Sequence, residues 1–181
     1  MKNFQKLAEN LDTLPLMHQI QRQPELWDQN RLRTVHPGSA HSQASDIWLW
    51  YNSIDLDAPE AVIDDLETIP YPAWYNLPAV RPIVFALMRQ VEGVRLGRMV
   101  ITKLPCGKEI TSHIDQGLPA EYYQRYQIAL QSFPGALFHI GDETVNFRTG
   151  DVWWINNNVE HSVVNNSIDD RIVLIVDIRC N

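Results

Sequence analysis

The sequence predicts a mainly β protein, an antiparallel sandwich or barrel with a flanking N-terminal layer. From Gly97 onward the chain is a series of short apolar segments separated by turns, and no internal repeat or linker divides it. We therefore expect a single domain over residues 1–181, with a helical and loop layer at 1–96 and the β core at 97–181. The expected core strands are RMVITKL, YQIALQSF, ALFHIG, TVNF, DVWWIN, HSVVN and RIVLIVDIR.

The N-terminal half carries mixed signals. Apolar residues at positions 4, 7, 11 and 14 have helical spacing and predict an amphipathic helix that covers the core. Asp46–Tyr51 has the aromatic and β-branched content of a strand. Prolines at 59, 70, 72 and 78 then indicate a loop-rich stretch. A second helix is predicted over Pro82–Val91, with proline at its start and Gly93 beyond its end.

Composition narrows the function classes. Hydrophobic residues make up 45% of the 181 residues and charged residues 20%, as in ordinary globular proteins. A formal net charge of -7 opposes sequence-independent nucleic-acid binding, although a local basic groove at Arg31, Arg33 and Arg125 stays open. No apolar run is long enough to cross a bilayer and no signal-peptide region stands at the N-terminus, so we expect a cytoplasmic protein without a membrane partner. Cys106 and Cys180 are accordingly expected to be free thiols.

A short motif in the β region suggests a metal site. His113 and Asp115 follow a strand, and alternation along extended chain puts residues i and i+2 on the same face. His161 supplies a third candidate ligand, and two histidines with one carboxylate are the donor set of non-haem Fe(II) oxygenases. A His-x-Asp pair also occurs by chance, so a solvated or structural pair is the alternative.

A basic residue at the head of the last strand extends the hypothesis. Arg171 lies ten residues beyond His161 and would point into a barrel lined by apolar side chains. A buried arginine needs an anionic partner, and a dicarboxylate cosubstrate would supply one through a bidentate ion pair. The alternative is an ordinary salt bridge to Asp169, Asp170 or Asp177.

Four segments together resemble the aspartyl/asparaginyl β-hydroxylase family of 2-oxoglutarate oxygenases. In that family a turn containing proline and glycine precedes the His-x-Asp pair, which corresponds here to Pro105 and Gly107. The second histidine of the family follows a glycine turn and an Asp/Asn-containing turn, which correspond to Gly150 and Asn156 before His161. The resemblance covers about residues 97–179 and lies in LPCGKEITSHID, RYQIAL, TGDVWWINNNVEHSVVNNS and RIVLIVDIR.

The resemblance implies a double-stranded β-helix, or cupin-like jelly roll, with flanking N-terminal helices. It further implies an Fe(II)-dependent dioxygenase in which His113, Asp115 and His161 bind the metal and Arg171 holds the distal carboxylate of 2-oxoglutarate. Such an enzyme uses O2 to hydroxylate a C–H bond while 2-oxoglutarate is converted to succinate.

A second cosubstrate contact is implied by the Arg-x-His motif of the family. This motif falls on Arg125 and Gln127, and the chain departs from it because glutamine replaces histidine. An amide still donates hydrogen bonds, so Gln127 remains a candidate cosubstrate contact beside Arg125. His139 on a neighbouring strand is an alternative metal ligand that lacks the matched spacing.

The substrate is less constrained than the class. We expect an amino acid, or a residue within a peptide or protein, and nucleic acid is the least favoured target because of the negative charge. Arg33 and His41, polar residues near the strand predicted at Ile47–Tyr51, are the candidate substrate contacts. Two other classes stay open, namely a cupin-type metal enzyme that does not use 2-oxoglutarate and a catalytically silent β-barrel binding protein.

Overall fold

The computed structural model describes residues 1–54 and 65–181 and contains two antiparallel sheets that face each other. The larger sheet has the strand order β1-β9-β6-β11-β4-β2-β3, and the smaller has the order β5-β10-β7-β8. The strands are β1 Phe4–Ala8, β2 Ser45–Tyr51, β3 Ile69–Pro70, β4 Gly93–Leu104, β5 Glu109–His113, β6 Gln124–Gln131, β7 Ala136–Ile140, β8 Glu143–Val145, β9 Val152–Ile155, β10 His161–Asn165 and β11 Arg171–Cys180.

Short helices accompany the sheets. They are α1 Leu14–Gln21, α2 Leu32–Val35, α3 Pro72–Asn76, α4 Val80–Gln90 and α5 Leu118–Tyr122, with a 3-10 turn at Pro24–Leu26. Within the described ranges, no helix is long and apolar enough to span a membrane.

Most of the strand predictions are confirmed. The seven predicted core segments correspond to β4 and to β6 through β11, and Asp46–Tyr51 lies within β2. The strand expected just before His113 is β5, which includes His113 as its last residue. The helix predicted at Pro82–Val91 is α4, which begins two residues earlier. Helices α2, α3 and α5 were not predicted. Strand β3 and helix α3 lie in the stretch predicted to be loop-rich, and Pro59 of that stretch lies outside the described residues.

The helix predicted from the apolar residues at positions 4, 7, 11 and 14 is wrong for its first half. Phe4–Ala8 forms strand β1, which pairs with β9 at the edge of the larger sheet, and α1 begins only at Leu14. Phe4 is 3% exposed and its ring contacts Phe138, Phe147 and Trp153 edge to face. Backbone pairing at a sheet edge and burial of one aromatic ring outweigh the local spacing.

The N-terminal half is therefore more than a covering layer. It contributes β1, β2 and β3 to the larger sheet, and β4 begins at Gly93, so residue 97 does not separate helices from sheet.

Two of the three apolar clusters in the described residues hold the layers together. The first joins helices α1, α3 and α4 to one face of the larger sheet through residues such as Leu16, Val84 and Leu174. The second lies between the two sheets, because it combines Leu104 and Trp153 with Phe138, Phe147 and other buried residues. The helices thus cover the outer face of the larger sheet, and its inner face turns toward the smaller sheet.

Candidate metal and cosubstrate site

The two sheet histidines are brought together by strand pairing. Strands β5 and β10 are antiparallel neighbours, and their register places His161 directly opposite His113. Asp115 follows two residues after His113, beyond the end of β5. One ligand atom from each of these three side chains lies within 4.8 Å of the others. The predicted triad is thus assembled in space.

Backbone carbonyls orient both imidazoles. His113 Nδ1 lies 2.8 Å from the Thr111 carbonyl oxygen, and His161 Nδ1 lies 2.9 Å from that of Val159. A carbonyl accepts only, so each Nδ1 carries the proton and each Nε2 is left with a lone pair for a metal. Burial is the main factor that lowers the pKa of His161, which favours the neutral, metal-binding form.

Asp115 accepts two hydrogen bonds at the same one of its two carboxylate oxygens. Oδ2 accepts a hydrogen bond from Asn157 Nδ2 at 3.1 Å and another from Arg125 Nη1, while Oδ1 lies 3.8 Å from His113 Nε2. Burial raises the pKa of this carboxyl, but the charge of Arg125 and the nearby His161 and Asn157 outweigh burial, so the pKa lies below its ordinary value. Asp115 is thus a carboxylate at neutral pH.

The triad opens into a cavity of about 380 Å³ between the sheets, and Arg171 lines the same cavity. Arg171 is 2% exposed, its Nη2 donates to Gln127 Oε1 at 3.1 Å, and its guanidinium carbon lies 5.7 Å from the ring centroids of both Phe138 and Phe147.

The charge of Arg171 is not neutralised within the described part of the chain, where no carboxylate lies within 4.0 Å of its guanidinium. The alternative salt bridge to Asp169, Asp170 or Asp177 is therefore not formed there. Burial lowers the pKa of Arg171 to about 10, so the side chain is still a cation at neutral pH.

Arg125 is engaged differently from the expectation. Its Nε and Nη2 donate to the two oxygens of Asp177, both at 2.8 Å, and its Nη1 donates to Asp115. Three of its donor groups thus bind carboxylates of the chain, and contact of Arg125 or Gln127 with a cosubstrate remains a prediction.

Sequence reasoning missed Asn157 and Asp177 at this site. Asp177 was considered only as a partner of Arg171. Alternation along β11 places Asp177 on the same face as Arg171, Val173 and Ile175, all of which line the cavity. This alternation could have identified Asp177 as a site residue from the sequence. Asn157 lies in a turn, where no such alternation exists.

The candidate substrate residues lie at the same cavity. Arg33 donates from Nη2 to Thr102 Oγ1 at 3.1 Å, and its Nη1 lies 3.5 Å from Asp46 Oδ2. The ring of His41 lies 4.8 Å from that of His113, centroid to centroid. Burial and then the charge of Arg33 lower the pKa of His41 well below its ordinary value.

His139, the alternative ligand, lies elsewhere. Its Nδ1 is 2.8 Å from Thr144 Oγ1 on β8, and it is not among the described residues that line the cavity. The prediction of two free thiols is confirmed, since Cys106 and Cys180 are unpaired.

The donor set fits the implied metal and cosubstrate. Two imidazoles and one carboxylate suit Fe(II), and a buried guanidinium without a carboxylate partner in the described chain suits one end of a dicarboxylate. The fold and the site together define a jelly-roll protein of the non-haem iron oxygenase class.

The family model described as aspartyl/asparaginyl beta-hydroxylase matches residues 73–180. The match covers more than half of the chain, and the chain belongs to this family. The sequence-based assignment to the Fe(II)- and 2-oxoglutarate-dependent dioxygenases is confirmed at the level of the class. No curated protein matches the chain significantly.

Solved structures support the jelly-roll fold. An oxidoreductase of the 2OG-Fe(II) oxygenase family from Burkholderia pseudomallei is 17% identical to this chain, with a TM-score of 0.53. The match covers 75% of this chain and 66% of the other, which is just under two thirds of the length of that protein. The alpha-ketoglutarate-dependent epimerase SnoN from nogalamycin biosynthesis is 12% identical with a TM-score of 0.62, over 98% and 78% of the two chains. A prolyl-4-hydroxylase from Pseudomonas putida is 15% identical with a TM-score of 0.54, over 99% and 93%.

Proposed function

We propose that this protein hydroxylates a C–H bond of an amino acid, free or within a peptide, using Fe(II) and 2-oxoglutarate. His113, Asp115 and His161 would hold the metal, and Arg171 would anchor the cosubstrate. The observation that carries this proposal is that a buried cation without a carboxylate partner in the described chain shares one cavity with a two-histidine, one-carboxylate cluster. A cupin-type enzyme without 2-oxoglutarate has no use for that cation.

The residues of the chain divide the work by position. When bound, the iron and cosubstrate supply the oxidation, in which one oxygen atom of O2 enters succinate, CO2 leaves, and the other oxygen atom enters the C–H bond. The carbonyls of Thr111 and Val159 keep both Nε2 atoms available to the metal. Gln127 orients the guanidinium of Arg171 by accepting its Nη2 hydrogen bond. The aromatic rings around Arg171 exclude water, which strengthens its pairing with a carboxylate.

The size and lining of the cavity support a small target group. A volume of about 380 Å³ is near the lower end of ligand sites, which begin at roughly 300 Å³. It accommodates the cosubstrate together with one amino-acid side chain. Arg33 and His41 line the part of the cavity beside His113 and are the proposed substrate contacts. The Pseudomonas putida protein with a similar fold is described as a prolyl-4-hydroxylase, which is compatible with an amino-acid residue as the substrate.

The test is turnover with single amino acids and short peptides. Purified protein is supplied with Fe(II), 2-oxoglutarate and isotopically labelled O2, and succinate and product mass are followed together. We expect one substrate class to gain a single labelled oxygen atom in proportion to the succinate formed.

Two variants and a matched control accompany that test. His113→Ala and Asp115→Ala should abolish both signals, whereas His139→Ala, which removes a histidine outside the cavity, should retain them. Product formation that does not need 2-oxoglutarate would instead favour the cupin-type enzyme.

A further inference from the structure

The metal carboxylate Asp115 is linked to a second buried carboxylate through one guanidinium. Strand pairing places Asp177 of β11 directly opposite Arg125 of β6, so the two side chains project from the sheet at the same level. Asp177 is 2% exposed and accepts two parallel hydrogen bonds of 2.8 Å, from Nε and Nη2 of Arg125. A two-point contact fixes the plane of the guanidinium as well as its position.

The fixed guanidinium then selects one oxygen of Asp115. Its remaining edge donates from Nη1 to Oδ2, the same atom that accepts the 3.1 Å bond from Asn157 Nδ2. The other oxygen, Oδ1, faces the imidazole of His113 at 3.8 Å. Two donors thus bind Oδ2, and Oδ1 is the oxygen that faces His113.

Charge makes the link mutually dependent. Asp115 and Asp177 are two carboxylates in one cavity, and Arg125 is the cation between them. Without Asp177, the guanidinium would lose two of its hydrogen-bond acceptors and the fixed orientation they impose. Without Arg125, the two carboxylates would repel each other and Oδ2 would be free to turn toward a metal.

We propose that Asp177 and Arg125 are positioning residues that make Asp115 a single-oxygen metal ligand, an inference that rests on the proposed metal site. One carboxylate oxygen and two imidazoles then leave the other coordination positions of the ion to cosubstrate and oxygen. Arg125 therefore acts through Asp115 rather than as the cosubstrate contact that the family motif implied.

The test uses Mn(II) as a redox-stable probe of the whole protein, with its affinity measured from the signal of free Mn(II) in electron spin resonance. We expect Asp177→Asn, which keeps the shape of the side chain, to bind Mn(II) roughly 10- to 100-fold more weakly than wild type, because the cavity loses one negative charge and Asp115 loses its fixed orientation. Infrared difference spectra of the protein with ¹³C-labelled aspartate supply the second readout. In wild type the asymmetric and symmetric carboxylate stretches should be widely separated, as for one-oxygen binding, and in Asp177→Asn the separation should narrow.

Matched variants separate the possible failures. Asp151→Asn removes another carboxylate that is 2% exposed and paired with Lys6 at 2.9 Å outside the cavity, and it should keep both wild-type readouts. Arg125→Lys keeps the positive charge but loses the two-point contact with Asp177, so it should behave like Asp177→Asn. It replaces Asp177→Asn in the test if that variant does not fold. Wild-type Mn(II) affinity and stretches in either folded variant would overturn the inference. Loss of Mn(II) binding in Asp115→Ala alongside that result would leave the proposed metal site standing.

Discussion

Arg171 is a cation that the fold buries at a cost to its own stability. Burial lowers its pKa to about 10 in the folded protein, well below the ordinary value of an arginine. Between neutral pH and about pH 10 the side chain is charged in both the folded and unfolded states, so the folded state bears the full cost of burying the charge. As the pH rises above about 10, the folded state releases the proton before the unfolded state does, and this cost disappears.

Replacing this cation should therefore stabilise the protein while removing its proposed function. In the absence of metal and cosubstrate, we expect Arg171→Met to raise the free energy of unfolding by roughly 1 to 3 kcal/mol, because an apolar chain of similar length replaces an uncompensated charge. Urea denaturation at pH 7.5 measures the change. The advantage of the variant should shrink above pH 10, and the variant should no longer bind 2-oxoglutarate. A less stable Arg171→Met protein at pH 7.5 would show that the charge is compensated.

At the scale of single residues, the sequence was sufficient to predict the candidate metal ligands. His113, Asp115 and His161 could be predicted because their types and spacing correspond to known metal chemistry, and the structure brings them together. The pairing of Asp177 with Arg125 could not be predicted, because which donor pairs with which carboxylate depends on the register between β6 and β11. A short motif carries no information about that register.

At the scale of elements, the N-terminal segment is docked through a glycine turn. The backbone N–H of Leu11 donates to the Gly150 carbonyl at 3.0 Å. Gly150 has a φ of 85°, and a Cβ there would lie 2.9 Å from the Leu11 carbonyl oxygen and 3.0 Å from its nitrogen. The turn before β9 is thus shaped to accept the chain that follows β1.

Gly150→Ala should destabilise the protein more than a matched glycine substitution does. Gly107 also has a positive φ, of 75°, but a Cβ there would meet nothing within 4 Å, so Gly107→Ala should cost only the backbone penalty of roughly 1 to 2 kcal/mol. Gly150→Ala adds a collision with Leu11, and we expect a further loss of roughly 1 to 3 kcal/mol. Thermal or urea unfolding of both variants measures the difference. Equal losses of unfolding free energy in the two variants would mean that the backbone at Leu11 moves away from the added Cβ without a measurable cost.

The same region shows where pattern reasoning fails for elements. Spacing at positions 4, 7, 11 and 14 is consistent with a helix, yet Phe4–Ala8 is a strand because β9 offers it a free edge and aromatic rings bury Phe4. Neither partner is local in sequence. The strands β4 and β6 through β11 were predictable because their apolar content and turns are local properties.

At the scale of the whole molecule, each layer of the jelly roll contributes a different part of the core or of the site. The helices α1, α3 and α4 bury the outer face of the larger sheet, and this leaves the inner face to be lined by site residues. The smaller sheet supplies both histidines through one pair of strands, while the larger sheet supplies Arg171, Arg125 and Asp177. The proposed metal ligands and the proposed cosubstrate anchor thus come from opposite walls of one cavity, and packing of the two sheets against each other brings them together.

The most direct test of this account is an anaerobic titration of the metal-free protein with Fe(II) and then 2-oxoglutarate. Chelation of a 2-oxo acid by Fe(II) produces a visible charge-transfer band, so no substrate is needed. We expect a saturable band in wild type and none in His161→Ala, because that variant lacks one of the three clustered ligands. Bound iron with no band on addition of 2-oxoglutarate would contradict the account, because the cavity that Arg171 shares with the triad would then hold a metal without its cosubstrate.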